Sequence, residues 1–72
     1  MKNSELLLAI GIRIKEARVE KAITQRNLAQ RIGISRATMN YIEKGSTTMN
    51  VLILAAICSE LDISLDWAVH GI

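Results

Sequence analysis

Leu7, Ile10, Ile14 and Ala17 recur at intervals of three and four residues, the spacing that gathers side chains onto one stripe of a helix. This predicts an amphipathic helix from about Ser4 to Lys21, with Ser4 as its cap. Arg18, four residues after Ile14, falls at the edge of the apolar stripe, where a charge needs a partner. The next element is shorter. Thr24 offers a cap for a second helix, "QRNLAQRI", with Leu28, Ala29 and Ile32 facing inward. Ser35 caps a third helix over 36–44 whose inward positions are Met39 and Ile42. Asn50 caps a fourth, apolar almost without interruption from Val51 to Cys58 and ending near Leu61 and Asp62. Ser64 caps a last short helix with Asp66 in its first turn, where an acid suits the helix dipole, and with Leu65, Ala68 and Val69 available for packing.

Gly33 interrupts "LAQRIGISRATMNYIEKG" where a helix breaker ought to weaken the structure. It sits where helices commonly end on a left-handed residue, and Gly45 closes the following helix in the same way. Residues 25–44 therefore read as two short helices joined by the turn Gly33, Ile34, Ser35. In such a helix-turn-helix, Ile34 tucks into the angle, and Ala29 must be small because the second helix crosses over it.

At 72 residues the chain has room for one domain, and a domain this short folds only marginally alone, so an oligomer interface often supports it. Half of its residues are hydrophobic, yet it has no Phe and no Pro, one Trp and one Tyr, so the core must be aliphatic and suits packed helices. Cys58 is the only cysteine, which rules out an intrachain disulfide, and its apolar setting points to an inert buried thiol in a reducing cytoplasm. The runs "LLLAIGI" and "VLILAAIC" fall well short of the roughly 18–20 residues that span a bilayer, and no signal peptide or membrane anchor is read. All nine basic residues lie in 1–45 against four acidic ones, a net +5, whereas 46–72 holds Glu60, Asp62 and Asp66 and no base. One end of the molecule is thus suited to a polyanion.

The segment "TQRNLAQRIGISRATMNYIEKG" resembles the helix-turn-helix of the phage Cro and cI repressors, the xenobiotic-response-element-type family. Leu28, Ala29, Ile32, Gly33, Ile34, Met39 and Ile42 match its apolar, small or glycine positions, and the likeness runs from "RIKEAR" to "LDISLDWAVHG". A lone helix-turn-helix pattern is a weak signal; one embedded in five correctly ordered helices is strong. The resemblance implies an all-α, five-helix DNA-binding domain over residues 1–72, with double-stranded operator DNA as partner. It also implies that Arg18 of the first helix pairs with Glu43 of the third, a structural pair, and Glu43 leans inward by its spacing from Met39.

Docking of this motif sets the start of the third helix against base edges in the major groove. The expected readers are Arg36, Ala37, Asn40 and Tyr41, on the face opposite Met39 and Ile42. Arg36 suits a bidentate pair with guanine, Asn40 one with adenine, Ala37 a thymine methyl, and Tyr41 a base or phosphate. Backbone contacts are expected from Gln25, as similar repressors use a glutamine there to touch the backbone or an outer base, and from Arg26, Ser35, Thr38 and Lys44, with Arg31 a further phosphate candidate. Relatives often carry basic residues and a proline before the fourth helix. Here the loop is "STTMN", with Met49 at the proline position, which leaves the hydroxyls of Ser46, Thr47 and Thr48 as substitutes and predicts a shallower salt dependence.

A fourth helix apolar on more than one side must bury more than one face. Leu52 and Ile53, with Trp67, Val69 and Ile72, are expected to form the interface of a homodimer that presents two third helices to half-sites one DNA turn, about 34 Å, apart. The competing reading is that they only enlarge a small core. His70 has no companion at metal-ligand spacing, and there is no paired carboxylate, activated nucleophile or phosphate loop, so neither enzyme, metal, cofactor nor small-molecule ligand is expected. Rival readings are a restriction-modification controller protein and an antitoxin-like protein-interaction module.

Overall fold

Four side-chain caps divide the chain where the sequence predicts. The computed structural model describes residues 2–72, which form α1 (Asn3–Glu20), α2 (Gln25–Ile32), α3 (Arg36–Lys44), α4 (Val51–Leu61) and α5 (Leu65–His70), with no strand among them. Thr24 Oγ1 accepts the N–H of Asn27 at 3.0 Å, Ser35 Oγ that of Thr38 at 3.0 Å, Asn50 Oδ1 that of Ile53 at 2.8 Å and Ser64 Oγ that of Trp67 at 3.0 Å. Each satisfies a first-turn donor that no helix can satisfy internally, a contribution of about 1 kcal/mol apiece.

The first helix departs from expectation. It begins one residue early, Lys2 is its N-terminal flanking residue, and no side chain caps it. Ser4 is therefore inside the first turn, not at the cap, because an apolar stripe fixes the face of a helix better than it fixes the first residue.

Gly33 (φ 77°) and Gly45 (φ 70°) both take the left-handed conformation. At each, the following residue's N–H reaches back across the helix end, Ile34 to Ala29 O and Ser46 to Tyr41 O, both at 3.0 Å. Ala22 (φ 57°) and Asp62 (φ 54°) end α1 and α4 in the same manner without glycine. Ile23 and Ile63, next in sequence, pack against the core, and that burial offsets the cost of a left-handed side-chain-bearing residue, about 1–2 kcal/mol.

Ile14, Leu28, Met39, Ile42, Ile57 and Leu61 are fully buried and come from α1 to α4, while α5 adds Ala68. Ile32, Ile34 and Met49 close over this cluster from the turns and helix ends. The tightest seam lies between α1 and α3. A Cβ at Gly11 would stand 2.5 Å from the carbonyl oxygen of Ile42 and 2.6 Å from that of Glu43, and one at Gly45 would stand 2.6 Å from Leu8 Cα. Two glycines thus let the backbones of α1 and the end of α3 meet without side chains between them.

Arg13 holds the far end of the chain. Its Nη1 donates to the carbonyls of Ala68 at 3.2 Å and Val69 at 3.1 Å, so a cation of α1 closes the C-terminal end of α5, where the dipole favours it. Cys58 is buried, and that burial pushes its thiol pKa up, the opposite of what a reactive cysteine needs.

Candidate nucleic-acid interface

The α3 helix is anchored on one side and free on the other. Met39 and Ile42 are buried, and Glu43 at 5% exposure joins them. Arg36, Ala37 and Tyr41 are exposed and Asn40 is half-buried, so the four expected readers share the surface that the core leaves open. Ser35 Oγ donates to Thr38 Oγ1 at 2.8 Å while accepting the Thr38 N–H. The serine is thereby committed to the cap, and of the pair it is Thr38 whose hydroxyl hydrogen remains for a phosphate.

Glu43 and Arg18 set the height of this helix on the domain. Arg18 Nε donates to Glu43 Oε2 at 2.6 Å and Nη2 to Oε1 at 3.0 Å, a forked pair, while Nη1 donates to the Ile23 carbonyl at 2.8 Å. With Arg18 at 9% exposure, both charges are taken out of water and every buried polar side-chain atom among the described residues has a partner. Gln25 joins them: its Nε2 donates to Glu43 Oε1 at 3.0 Å and to Asn40 Oδ1 at 3.3 Å. Both hydrogens of the Gln25 amide are thus engaged inside the protein, so the donors left at the start of α2 are backbone N–H groups and the exposed Arg26 guanidinium.

The basic residues divide by role. Arg26, Arg36 and Lys44 are exposed on α2 and α3, whereas Arg13 and Arg18 are spent on structure. Arg31 faces α4, with Nη1 3.7 Å from Glu60 Oε2 on a half-exposed surface, a pair worth about 0–1 kcal/mol that a phosphate can displace. In the loop after α3, Ser46 donates to the Tyr41 carbonyl at 3.2 Å and Thr47 to that of Thr48 at 3.3 Å. Both hydroxyl hydrogens are engaged within the loop, in bonds long enough to be exchanged for a phosphate.

Sequence reasoning missed the Gln25 and Arg13 contacts and the close approach at Gly11. A glutamine opening one helix and an asparagine fifteen residues later carry no shared period. Only the crossing of α2 and α3 brings them together.

A family model described as helix-turn-helix matches residues 14–67. The chain belongs to the Cro/C1-type helix-turn-helix family. It is 36% identical over 58 residues to the HTH-type transcriptional regulator YqaE of Bacillus subtilis, covering 81% of this chain and 50% of that protein, so the chain spans half the length of this relative. Among solved structures, the P22 c2 repressor in complex with a synthetic operator is similar at TM-score 0.82 and 28% identity, over 88% of this chain and 96% of that one. The restriction-modification controller protein C.AhdI of Aeromonas hydrophila is similar at 0.76 and 28%, over 81% and 88%. The family is one of DNA-binding transcriptional regulators, and no helix among the described residues is long and apolar enough to cross a membrane.

Proposed function

We propose that the chain is a sequence-specific transcriptional repressor that binds a palindromic operator as a homodimer, reading bases with Arg36, Ala37, Asn40 and Tyr41. The observation that carries this is the division of α3, whose Met39, Ile42 and Glu43 are buried while those four side chains remain accessible. A helix anchored by a buried ion pair loses little further freedom on docking, so its base contacts are paid for less in entropy. Amide groups at the start of α2, with Thr38, Arg26 and Lys44, supply backbone contacts that fix register. Selection of bound DNA from a random pool tests the reading: an enriched palindrome is expected, and an unenriched pool would transfer the chain to the protein-interaction class.

Arg36→Ala is expected to cost about 1–3 kcal/mol of discrimination at a single guanine per half-site, with an unchanged thermal melt. Gel-shift titrations on operators altered at that base pair check it, and identical preference in the variant would remove Arg36 from readout.

The dimer reading draws on apolar surface that the core leaves uncovered. Leu52 is 76% exposed, its neighbour Val51 68% and Ile72 86%. Ile53, Trp67 and Val69 are only half-buried but pack against the core, so these three serve the competing core role as well and the outward burden falls on Leu52 and Ile72. Leu52→Glu is expected to give a folded monomer in sedimentation velocity with weakened operator binding. A dimer that survives this change would place the interface elsewhere. The structural likeness to a controller protein keeps activation alongside repression as a second reading, which reporter transcription separates.

A further inference from the structure

Gln25 connects the buried ion pair to the reading surface, and the chemistry of that connection determines which way Asn40 faces. Glu43 Oε1 is a carboxylate oxygen that already accepts from Arg18 Nη2 at 3.0 Å. It has nothing to donate. The end of the Gln25 amide that meets it must therefore be Nε2, the end that carries hydrogens, and the separation is 3.0 Å. The second Nε2 hydrogen points to Asn40 at 3.3 Å. Facing a donor, Asn40 must turn its carbonyl oxygen inward, which leaves Nδ2 as the outward end of its amide. No buried side-chain nitrogen or oxygen among the described residues lacks a partner, and Asn40 is half-buried, so Nδ2 stands at the accessible surface.

We propose that Gln25 is a positioning residue for base recognition: it holds the Asn40 carbonyl inward, so that Asn40 meets the major groove as a donor and selects guanine. Guanine offers two acceptors, O6 and N7, to the outward amino group. Adenine offers one acceptor and a donor, N6, whose hydrogen needs the oxygen that Gln25 holds back. The adenine pair expected of an asparagine from sequence alone is thereby disfavoured. Discrimination arises because the order Arg18, Glu43, Gln25, Asn40 alternates donor and acceptor, starting from a guanidinium that can only donate and ending on the longest link, the 3.3 Å bond to Asn40.

This inference rests on the assignment of α3 as the recognition helix, and the experiment separates the two. DNA is selected from a random pool with the wild-type chain, with Asn40→Ala and with Gln25→Met, whose side chain has similar length and no donor. The position at which Asn40→Ala loses preference is the one that Asn40 reads. Guanine is expected there in the wild type. In Gln25→Met the adenine-to-guanine ratio at that position is expected to rise about fivefold or more, while the Arg36-dependent position stays unchanged. Loss of fold alone would blunt every position together. Gln25→Ala provides a second release of the Asn40 amide should methionine lower the melt. Adenine in the wild type, or an unaltered profile in both Gln25 variants, overturns the inference while leaving α3 as the reader. A profile of Asn40→Ala matching the wild type at every position removes Asn40 from recognition altogether and overturns the inference with it.

Discussion

Replacing Glu43 by alanine is expected to destabilise the domain by about 3–5 kcal/mol, the largest effect of any single charge in the molecule. The removed carboxylate accepts three hydrogen bonds, two from Arg18 and one from Gln25. What remains is a guanidinium at 9% exposure, fixed by one bond to the Ile23 carbonyl and with two faces unpaired. A protein of this size has about 4–11 kcal/mol of total stability, so the melt should fall by at least 12 °C and much of the chain should be unfolded at 37 °C. Glu43→Gln keeps the shape and one acceptor oxygen and should lose less. Changing both partners to apolar residues of similar volume, Arg18→Met with Glu43→Leu, should recover much of the loss, since the penalty belongs to the stranded charge. Circular-dichroism melts at low and high salt check this. Strong weakening of the wild type by salt would contradict a buried pair, whereas the half-exposed Arg31–Glu60 pair is the kind that salt screens.

The same carboxylate explains why part of the site could be read from sequence and part could not. The outward placement of Arg36, Ala37, Asn40 and Tyr41 follows from Met39 and Ile42 alone, because residues three apart on a helix share a face and the others must oppose them. The caps at Thr24, Ser35, Asn50 and Ser64 were equally legible, since a short polar side chain before an apolar run has one local use. The start of α1 and the left-handed ends at Ala22 and Asp62 were not, because no local residue type enforces them; tertiary burial of the next isoleucine does. Hydrogen-bond polarity lies furthest out of reach. The Gln25 amide is oriented by partners fifteen and eighteen residues away, and on the proposed reading that orientation decides which base Asn40 selects.

Charge behaves similarly. The basic half of the chain is visible in the sequence, but the structure withdraws Arg13 to the end of α5 and Arg18 to the ion pair, and turns Arg31 toward Glu60. Fewer of these cations are therefore free to grip a phosphate than the count suggests. Under the proposed operator binding, discrimination would rest more heavily on the α3 face than on phosphate contacts, and affinity is expected to fall less steeply with salt than in relatives with basic loops.

The position of that face depends on the glycine seam, which leads to the second large effect. Gly33 and Gly45 have nearly the same backbone conformation, φ 77° and φ 70°, but different surroundings. A Cβ at Gly33 would meet nothing within 4 Å, so Gly33→Ala incurs conformational strain alone, about 1–2 kcal/mol. At Gly45 the same strain is joined by a Cβ lying 2.6 Å from Leu8 Cα and 2.8 Å from Leu8 N, backbone atoms of a packed helix that cannot rotate aside. Gly45→Ala should therefore cost about 2–5 kcal/mol in all, combining strain with the penalty of overpacking. Gly11→Ala isolates the second component, because its helical φ is unstrained and alanine gains about 1 kcal/mol of helix propensity. That gain has to work against a carbonyl oxygen 2.5 Å away, so a net loss is expected. Thermal melts should rank the variants with Gly33→Ala above Gly45→Ala by at least several degrees. Equal melts for those two, or a stabilised Gly11→Ala, would mean that α1 and α3 are not in backbone contact, and the height at which Arg36 and Asn40 are presented would then rest on the Arg18–Glu43 pair alone.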